Sequence, residues 1–192
     1  MALTHSTMVP LGTRAPGFNL PGTDGREYSL ADFKDKKVLV VIFMCNHCPY
    51  VKAVLGGLIQ LQNETRDLGV QLVGINANDA SRYPEDSMEN MRKIAREKSI
   101  PFPYLFDETQ ETARAYGAVC TPDIFVYGAE RTLLYRGRID DDWQHPEKVT
   151  RRDLREAIDA ILEGRAVAAE QVSSMGCSIK WKPERNPPHE SK

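Results

Sequence analysis

Seven apolar residues in a row, Val38-Leu39-Val40-Val41-Ile42-Phe43-Met44, lead without a break into Cys45-Asn46-His47-Cys48, and Pro49 then opens a stretch with helical periodicity. A short continuous run rich in β-branched residues predicts a strand buried on both faces. Such a strand needs cover on both sides of its sheet, so the run commits the chain to an α/β core. The same junction constrains the chemistry. Two cysteines carried from a buried strand onto the first turn of a helix meet unsatisfied backbone N–H groups and the positive end of the helix dipole, and both favour the thiolate. In such settings a cysteine pKa falls from about 8.5 to roughly 3.5–7.5. The sulfur of Cys45 is expected to lie at the helix start and to be the more reactive, with Cys48 a turn deeper.

A chain of 192 residues is long enough for one well-buried core. It reads as a single domain over 1–192, with its core at about residues 10–163. Basic and acidic residues nearly balance, 25 against 27, which sets nucleic acid and anionic membranes aside as main partners. Small molecules and thiol proteins remain. The opening Met1-Ala2-Leu3-Thr4-His5-Ser6-Thr7-Met8 has neither a basic nor an apolar targeting segment, and the apolar run from Val38 to Cys45 is too short to span a bilayer. The expectation is a cytoplasmic protein without membrane contact. Four cysteines would allow two bridges, but a chain of this size needs no staples and shows no export signal, so reactive thiols are the expected use.

Along the chain, Pro10, Gly12, Pro16, Gly17, Pro21, Gly22 and Gly25 punctuate a lead-in with short strands near Phe18-Leu20 and Arg26-Ser29, and Asp24-Gly25 as a hairpin tip. A helix from Pro49 to Leu68 carries Val51, Val54, Leu55, Leu58 and Leu61 at helical spacing and stops at Gly69. Gly56-Gly57 inside it predicts a bend or the close approach of another backbone. Val70 to Asn76 is a second strand, giving a right-handed parallel crossover. A helix over 84–98 starts at Pro84, with Glu85 and Asp86 in its first turn and its charges on a solvated face. A strand at 104–106, a helix at 109–116 ended by Gly117, and a strand at 124–127 follow. The turn Gly128-Ala129-Glu130 leads into a pairing strand over 133–139, and a closing amphipathic helix ends at Gly164. From Arg165 the pattern fades, and 165–192 reads as a partly loose tail.

This order, with Thr121-Pro122 ahead of an antiparallel pair, resembles the thioredoxin fold: a three-layer α/β/α arrangement on a mixed central sheet, here with an N-terminal strand extension and a C-terminal tail. Within that fold the chain is most similar to bacterial thioredoxin-like proteins of the AhpC/TSA and redoxin group. The resemblance rests on Met44-Cys45-Asn46-His47-Cys48-Pro49-Tyr50-Val51, Cys120-Thr121-Pro122-Asp123 and Gly176-Cys177-Ser178-Ile179-Lys180-Trp181. It implies a thiol–disulfide oxidoreductase serving redox homeostasis without an organic cofactor, with Cys45 as attacking and Cys48 as resolving thiol. It also implies a cis Pro122 facing the pair, and Thr121 and Pro122 as the binding edge for an extended protein or small disulfide substrate. Thioredoxins place a buried Asp in the strand before the CxxC, and Val38 to Met44 holds none, so proton transfer needs another group. Peroxiredoxins carry a Pro and a Thr seven and three residues before the peroxidatic Cys; counted from Cys48 these positions are Val41 and Cys45.

Around the pair, Asn46 completes the loop, His47 is placed to stabilise a thiolate when protonated, and Cys120 should lie close through Pro122. Ile179 and Trp181 could anchor the tail and bring Cys177 near another thiol. Two alternatives stay open beside the oxidoreductase reading. One is a soft-metal protein for Zn or Cu(I) using Cys45, His47 and Cys48 with Cys120 or His145. The other is a peroxiredoxin-like thiol peroxidase.

Overall fold

The structure is a computed structural model and describes residues 3–183. Its strands are β1 (Leu3–His5), β2 (Asn19–Pro21), β3 (Glu27–Ser29), β4 (Val38–Phe43), β5 (Val70–Asn76), β6 (Tyr104–Phe106), β7 (Cys120–Thr121), β8 (Asp123–Tyr127), β9 (Leu133–Arg136) and β10 (Met175–Ser178). The α-helices are α1 (Pro49–Thr65), α2 (Met88–Glu97), α3 (Glu111–Tyr116) and α4 (Asp153–Leu162).

The apolar run becomes β4, the central strand of a five-stranded sheet in the order β6-β5-β4-β8-β9. It pairs parallel to β5 from Val38↔Val70 to Phe43↔Ile75 and antiparallel to β8 from Leu39↔Tyr127 to Phe43↔Asp123. All six of its side chains are fully buried. Alternation divides them between two cores. Val38, Val40 and Ile42 face α1, Met91 of α2, and Leu154 and Ile158 of α4. Leu39, Val41 and Phe43 face Tyr116 of α3 and the Phe18, Leu20 and Tyr28 of the β2–β3 region. The layers are α/β/α, the second outer layer being one short helix and a hairpin. Helix α1 starts with Pro49, whose missing N–H removes one orphan donor, and the chain leaves through a 3-10 turn at Gly69, φ 89°.

Two expectations fail in instructive places. The helix assigned to 84–98 begins at Met88: Ser87 is its N-cap, with Oγ accepting from Asn90 N at 3.4 Å, and Pro84–Asp86 forms a separate 3-10 turn. Asp86 is therefore not a solvated first-turn acid but a fully buried one. The tail after Arg165 is also far more ordered than its composition suggests. Strand β10 lies between β1 and β7, antiparallel to both, and Cys177 and Ile179 are buried. Gln110 grips the segment beyond it through Lys180 O at 2.9 Å and Lys182 N at 2.8 Å, while Arg114 lies 4.5 Å over the Trp181 ring. The part of the tail from 184 to 192 falls outside the described residues. Among the described residues no helix is long and apolar enough to cross a membrane.

Helix α1 runs uninterrupted through Gly56-Gly57, and no backbone approaches either glycine: an added Cβ would meet nothing within 4 Å. Nothing in the packing therefore offsets the conformational entropy these residues lose on folding. Gly56→Ala and Gly57→Ala should each stabilise the protein by about 0.4–1 kcal/mol. Chemical denaturation of each variant checks this; a loss of stability would mean the face is needed as glycine.

Candidate active site

Strand β4 delivers Cys45 to the edge of the sheet, where Met44 N donates to Ile75 O at 2.9 Å, and Cys48 becomes the N-cap of α1. Asp86 fixes the loop between them. Its Oδ1 accepts the backbone N–H of Asn46 at 2.7 Å, and its Oδ2 accepts Asn78 Nδ2 at 2.8 Å and faces His47 Nδ1 at 2.6 Å. Asn46 adds two bonds, donating to Glu85 O at 2.7 Å and accepting from the buried Tyr104 hydroxyl at 3.0 Å. The His47 ring also stacks on Tyr83, with centroids 5.6 Å apart.

Opposite the loop, the Thr121–Pro122 peptide bond is cis. Thr121 touches both sulfurs, its Oγ1 lying 3.4 Å from Cys45 Sγ and its carbonyl accepting from Cys48 Sγ at 3.1 Å. Cys177 of β10 stands opposite Thr121 in the strand register, and its thiol reaches Cys48. The three sulfurs of Cys45, Cys48 and Cys177 thus form a buried cluster with Cys48 in the middle.

Charge divides unevenly in this cluster. The hydrogen bond from Cys45 holds the Cys48 thiol down to about 4, and burial opposes it. The Val51 N–H in the first turn of α1, the Cys177 thiol and Thr121 act in the same direction as Cys45. Cys45 moves the other way, well above the ordinary thiol range, because its hydrogen bond goes to Cys48, because it is buried, and because Asp86 is near. The Thr121 carbonyl works against a Cys48 thiolate, but donors around that sulfur outnumber it. The sequence analysis placed the helix start at Cys45; in the structure it falls at Cys48, which caps α1.

Cys120 does lie beside the site, but it behaves as a packing residue. Burial and the neighbouring Asp123 push its thiol far up, and its sulfur points to Pro122 O at 3.7 Å. Asp123 is a buried carboxylate that the sequence reading passed over; burial raises it to about 6, and its Oδ1 has no hydrogen-bond partner. His47, expected to stabilise a thiolate when protonated, faces Asp86 at 2.6 Å. The proposed metal set of Cys45, His47 and Cys48 with Cys120 or His145 does not assemble either: His145 is exposed and bonded to Asp142. The ligand atoms that do converge, all within 4.8 Å of one another, belong to Cys45, His47 and Asp86. Beside Pro122, a cleft of about 220 Å³ has a mainly apolar lining that includes Ile124, Ile139, Tyr50 and Trp143, the last two rings 4.2 Å apart, with Arg138 and Asp140 also on its wall. Asp86 was the main residue missed, and the Ser87-x-x-Asn90 cap was the available signal for it. Cys177 does lie near another thiol, as the anchoring of the tail through Ile179 and Trp181 predicts.

Residues 11–136 match the AhpC/TSA family. The chain belongs to this family. The peroxiredoxin Bcp of Escherichia coli is 30% identical over 112 residues, covering 57% of this chain and 67% of that one. The thiol-disulfide oxidoreductase ResA of Geobacillus thermodenitrificans is 26% identical over 125 residues, 64% of this chain and 66% of that one. Among solved structures, an uncharacterized conserved protein from Geobacillus kaustophilus superposes with a TM-score of 0.91 at 48% identity, covering 95% of this chain and 98% of that chain. The thioredoxin domain of a thiol-disulfide oxidoreductase from Bacteroides vulgatus superposes with a TM-score of 0.58 at 21% identity, covering 67% and 88%, and shows the thioredoxin fold.

Two titrations follow from these environments. Thiolate absorbance should rise with a midpoint near pH 4 and lose that step in Cys48→Ser; a first midpoint above pH 8 would contradict the charge distribution. For Asp123, the folded chain keeps a proton between about pH 4 and pH 6 that the unfolded chain has released, so folding stability should fall as pH rises through that window. The loss is about 3 kcal/mol, and Asp123→Asn should flatten it in denaturation curves collected from pH 4 to 7.

Proposed function

We propose that the chain is a thiol–disulfide oxidoreductase in which Cys45 and Cys48 cycle between dithiol and disulfide. The observation that carries this reading is the convergence of the two buried sulfurs on Thr121 at the cis peptide bond, Cys45 Sγ 3.4 Å from its Oγ1 and Cys48 Sγ 3.1 Å from its carbonyl. Because the thiolate falls on Cys48, Cys48 is assigned the attack and Cys45 the resolution. The Cys48 thiolate attacks one sulfur of a substrate disulfide, forming a mixed disulfide and releasing the other sulfur as a thiolate. Cys45 then gives up its proton, and its thiolate attacks Cys48 Sγ, expelling the remaining substrate thiolate.

The carboxylate and imidazole of Asp86 and His47, within 4.8 Å of Cys45 Sγ, are the groups placed to take that proton. They supply from the α2 side what thioredoxins supply from the strand before the CxxC. A thiol partner from outside resets the disulfide. The apolar cleft beside Pro122 suits a substrate that presents an apolar side chain next to its disulfide.

A second reading, thiol peroxidase, is favoured by one observation: the acidic thiol is Cys48, the position from which the peroxiredoxin spacing is counted. Val41 and Cys45 stand where peroxiredoxins carry the Pro and the Thr, so peroxide oxidation should be slow. The two readings separate in one set of assays. Reduction of insulin disulfides with dithiothreitol as electron source should be catalysed by the wild type and fall to background in Cys45→Ser and in Cys48→Ser. Stopped-flow oxidation of Cys48 by hydrogen peroxide, unaffected by Cys45→Ser and far faster than disulfide exchange, would replace the first reading by the second.

A further inference from the structure

The edge of β7 beside the CxxC is already occupied by the protein's own chain. Strand β10 pairs there with Cys177 opposite Thr121 and Ser178 opposite Cys120. Ile179 N extends the pairing to Val119 O at 2.9 Å, and β1 closes the outer edge. The approach is as near as a backbone allows: a Cβ on Gly176 would lie 2.0 Å from Thr121 O and 2.7 Å from Thr121 C. Only glycine permits it, and its consequence is that the next residue sets a third sulfur against Cys48.

We infer that Cys177 is a third redox-active thiol of this site, which exchanges onto Cys48 to form a Cys48–Cys177 disulfide. The inference rests on the reading of Cys45 and Cys48 as the exchanging pair. Starting from the Cys45–Cys48 disulfide, the Cys177 thiol loses its proton and its thiolate attacks Cys48 Sγ. The Cys48–Cys177 bond forms as the Cys45–Cys48 bond breaks, and Cys45 leaves with the electron pair and takes up a proton. No electrons enter or leave the protein. The same attack on a Cys48 mixed disulfide expels the substrate thiolate, so Cys177 is a resolving thiol parallel to Cys45.

Two features support this direction of exchange. Burial and then the neighbouring Cys48 thiolate keep the Cys177 thiol up at about 11 in the reduced site; once Cys48 is in a disulfide its charge is gone, and that second influence with it. Cys177 and Cys45 also reach Cys48 from different elements, β10 and the end of β4, and pack with it in one buried cluster. The Cys120 sulfur is a built-in comparison: a buried thiol of the same region directed at Pro122 O.

The test uses the full-length Cys45→Ser protein, which leaves Cys48 without its usual resolving partner. It is treated with oxidised glutathione, denatured, alkylated and mapped by mass spectrometry, with wild type in parallel. The expected product is a cross-linked Cys48–Cys177 peptide with glutathione released, and in Cys45→Ser/Cys177→Ser a glutathione adduct that persists on Cys48. Gly176→Ala in the Cys45→Ser background, its fold checked by circular dichroism, should accumulate the adduct and slow the cross-link. A Cys45→Ser protein that stays glutathionylated, with Cys177 fully alkylated, overturns the inference while a Cys45–Cys48 disulfide in wild type leaves the oxidoreductase reading standing. A wild type that forms neither the Cys45–Cys48 nor the Cys48–Cys177 disulfide would instead remove the reading and the inference together.

Discussion

The carboxylate of Asp86 is the point on which the geometry of the site depends. It is fully buried and ties two separate stretches together: the CxxC loop, through the backbone of Asn46 and the ring of His47, and Asn78 just beyond β5. Asn78 is itself withdrawn from water, and a buried donor left without a partner costs about 1–3 kcal/mol. The loop between Cys45 and Cys48 is thereby held from the α2 side, while Thr121 holds both sulfurs from the other. Strand β4, paired on both edges and covered on both faces, gives the rigid base from which this clamp works.

Placement of one negative and several donor groups also explains why two neighbouring cysteines differ. Asp86 stands near Cys45 and disfavours a second negative charge there, whereas Cys48 sits at the start of α1 among N–H, S–H and O–H donors. A sulfur at that position ionises first, even though it is buried, because desolvation is outweighed by hydrogen bonds to the charged form. The fold thus gives the two sulfurs different surroundings, one of them at the helix cap. That residue is Cys48, since Pro49 begins it.

Most of the core was legible because its signals are local. The β4 run, the α1 periodicity with its Gly69 stop, the hairpin at Asp24-Gly25 and the β8–β9 turn each follow from patterns within a dozen residues. What escaped depends on partners distant in sequence. Met175-Gly176-Cys177-Ser178 has no strand alternation of its own and becomes a strand only because β1 and β7, some 170 and 55 residues away, offer edges. Asp86 looked like an ordinary helix-start acid because Pro84 is a good first helical residue; the Ser87 cap moved the helix start past it and turned the carboxylate inward. His47 was identified as part of the site, but its partner Asp86 was not, because the two lie 39 residues apart.

The thioredoxin fold and membership of the AhpC/TSA family place the chain among relatives named as thiol-disulfide oxidoreductases and peroxiredoxins. Reversible dithiol–disulfide chemistry at Cys45 and Cys48 separates the first kind of protein from the second. Equilibration of the wild type across a series of glutathione redox buffers, with acid quenching and thiol counting at each potential, measures it directly. The expected result is a reversible transition in which two of the four thiols disappear together, with a Nernst slope of about 30 mV per decade. Loss of a single thiol at Cys48 without a disulfide, or oxidation that reducing buffer does not reverse, would contradict it.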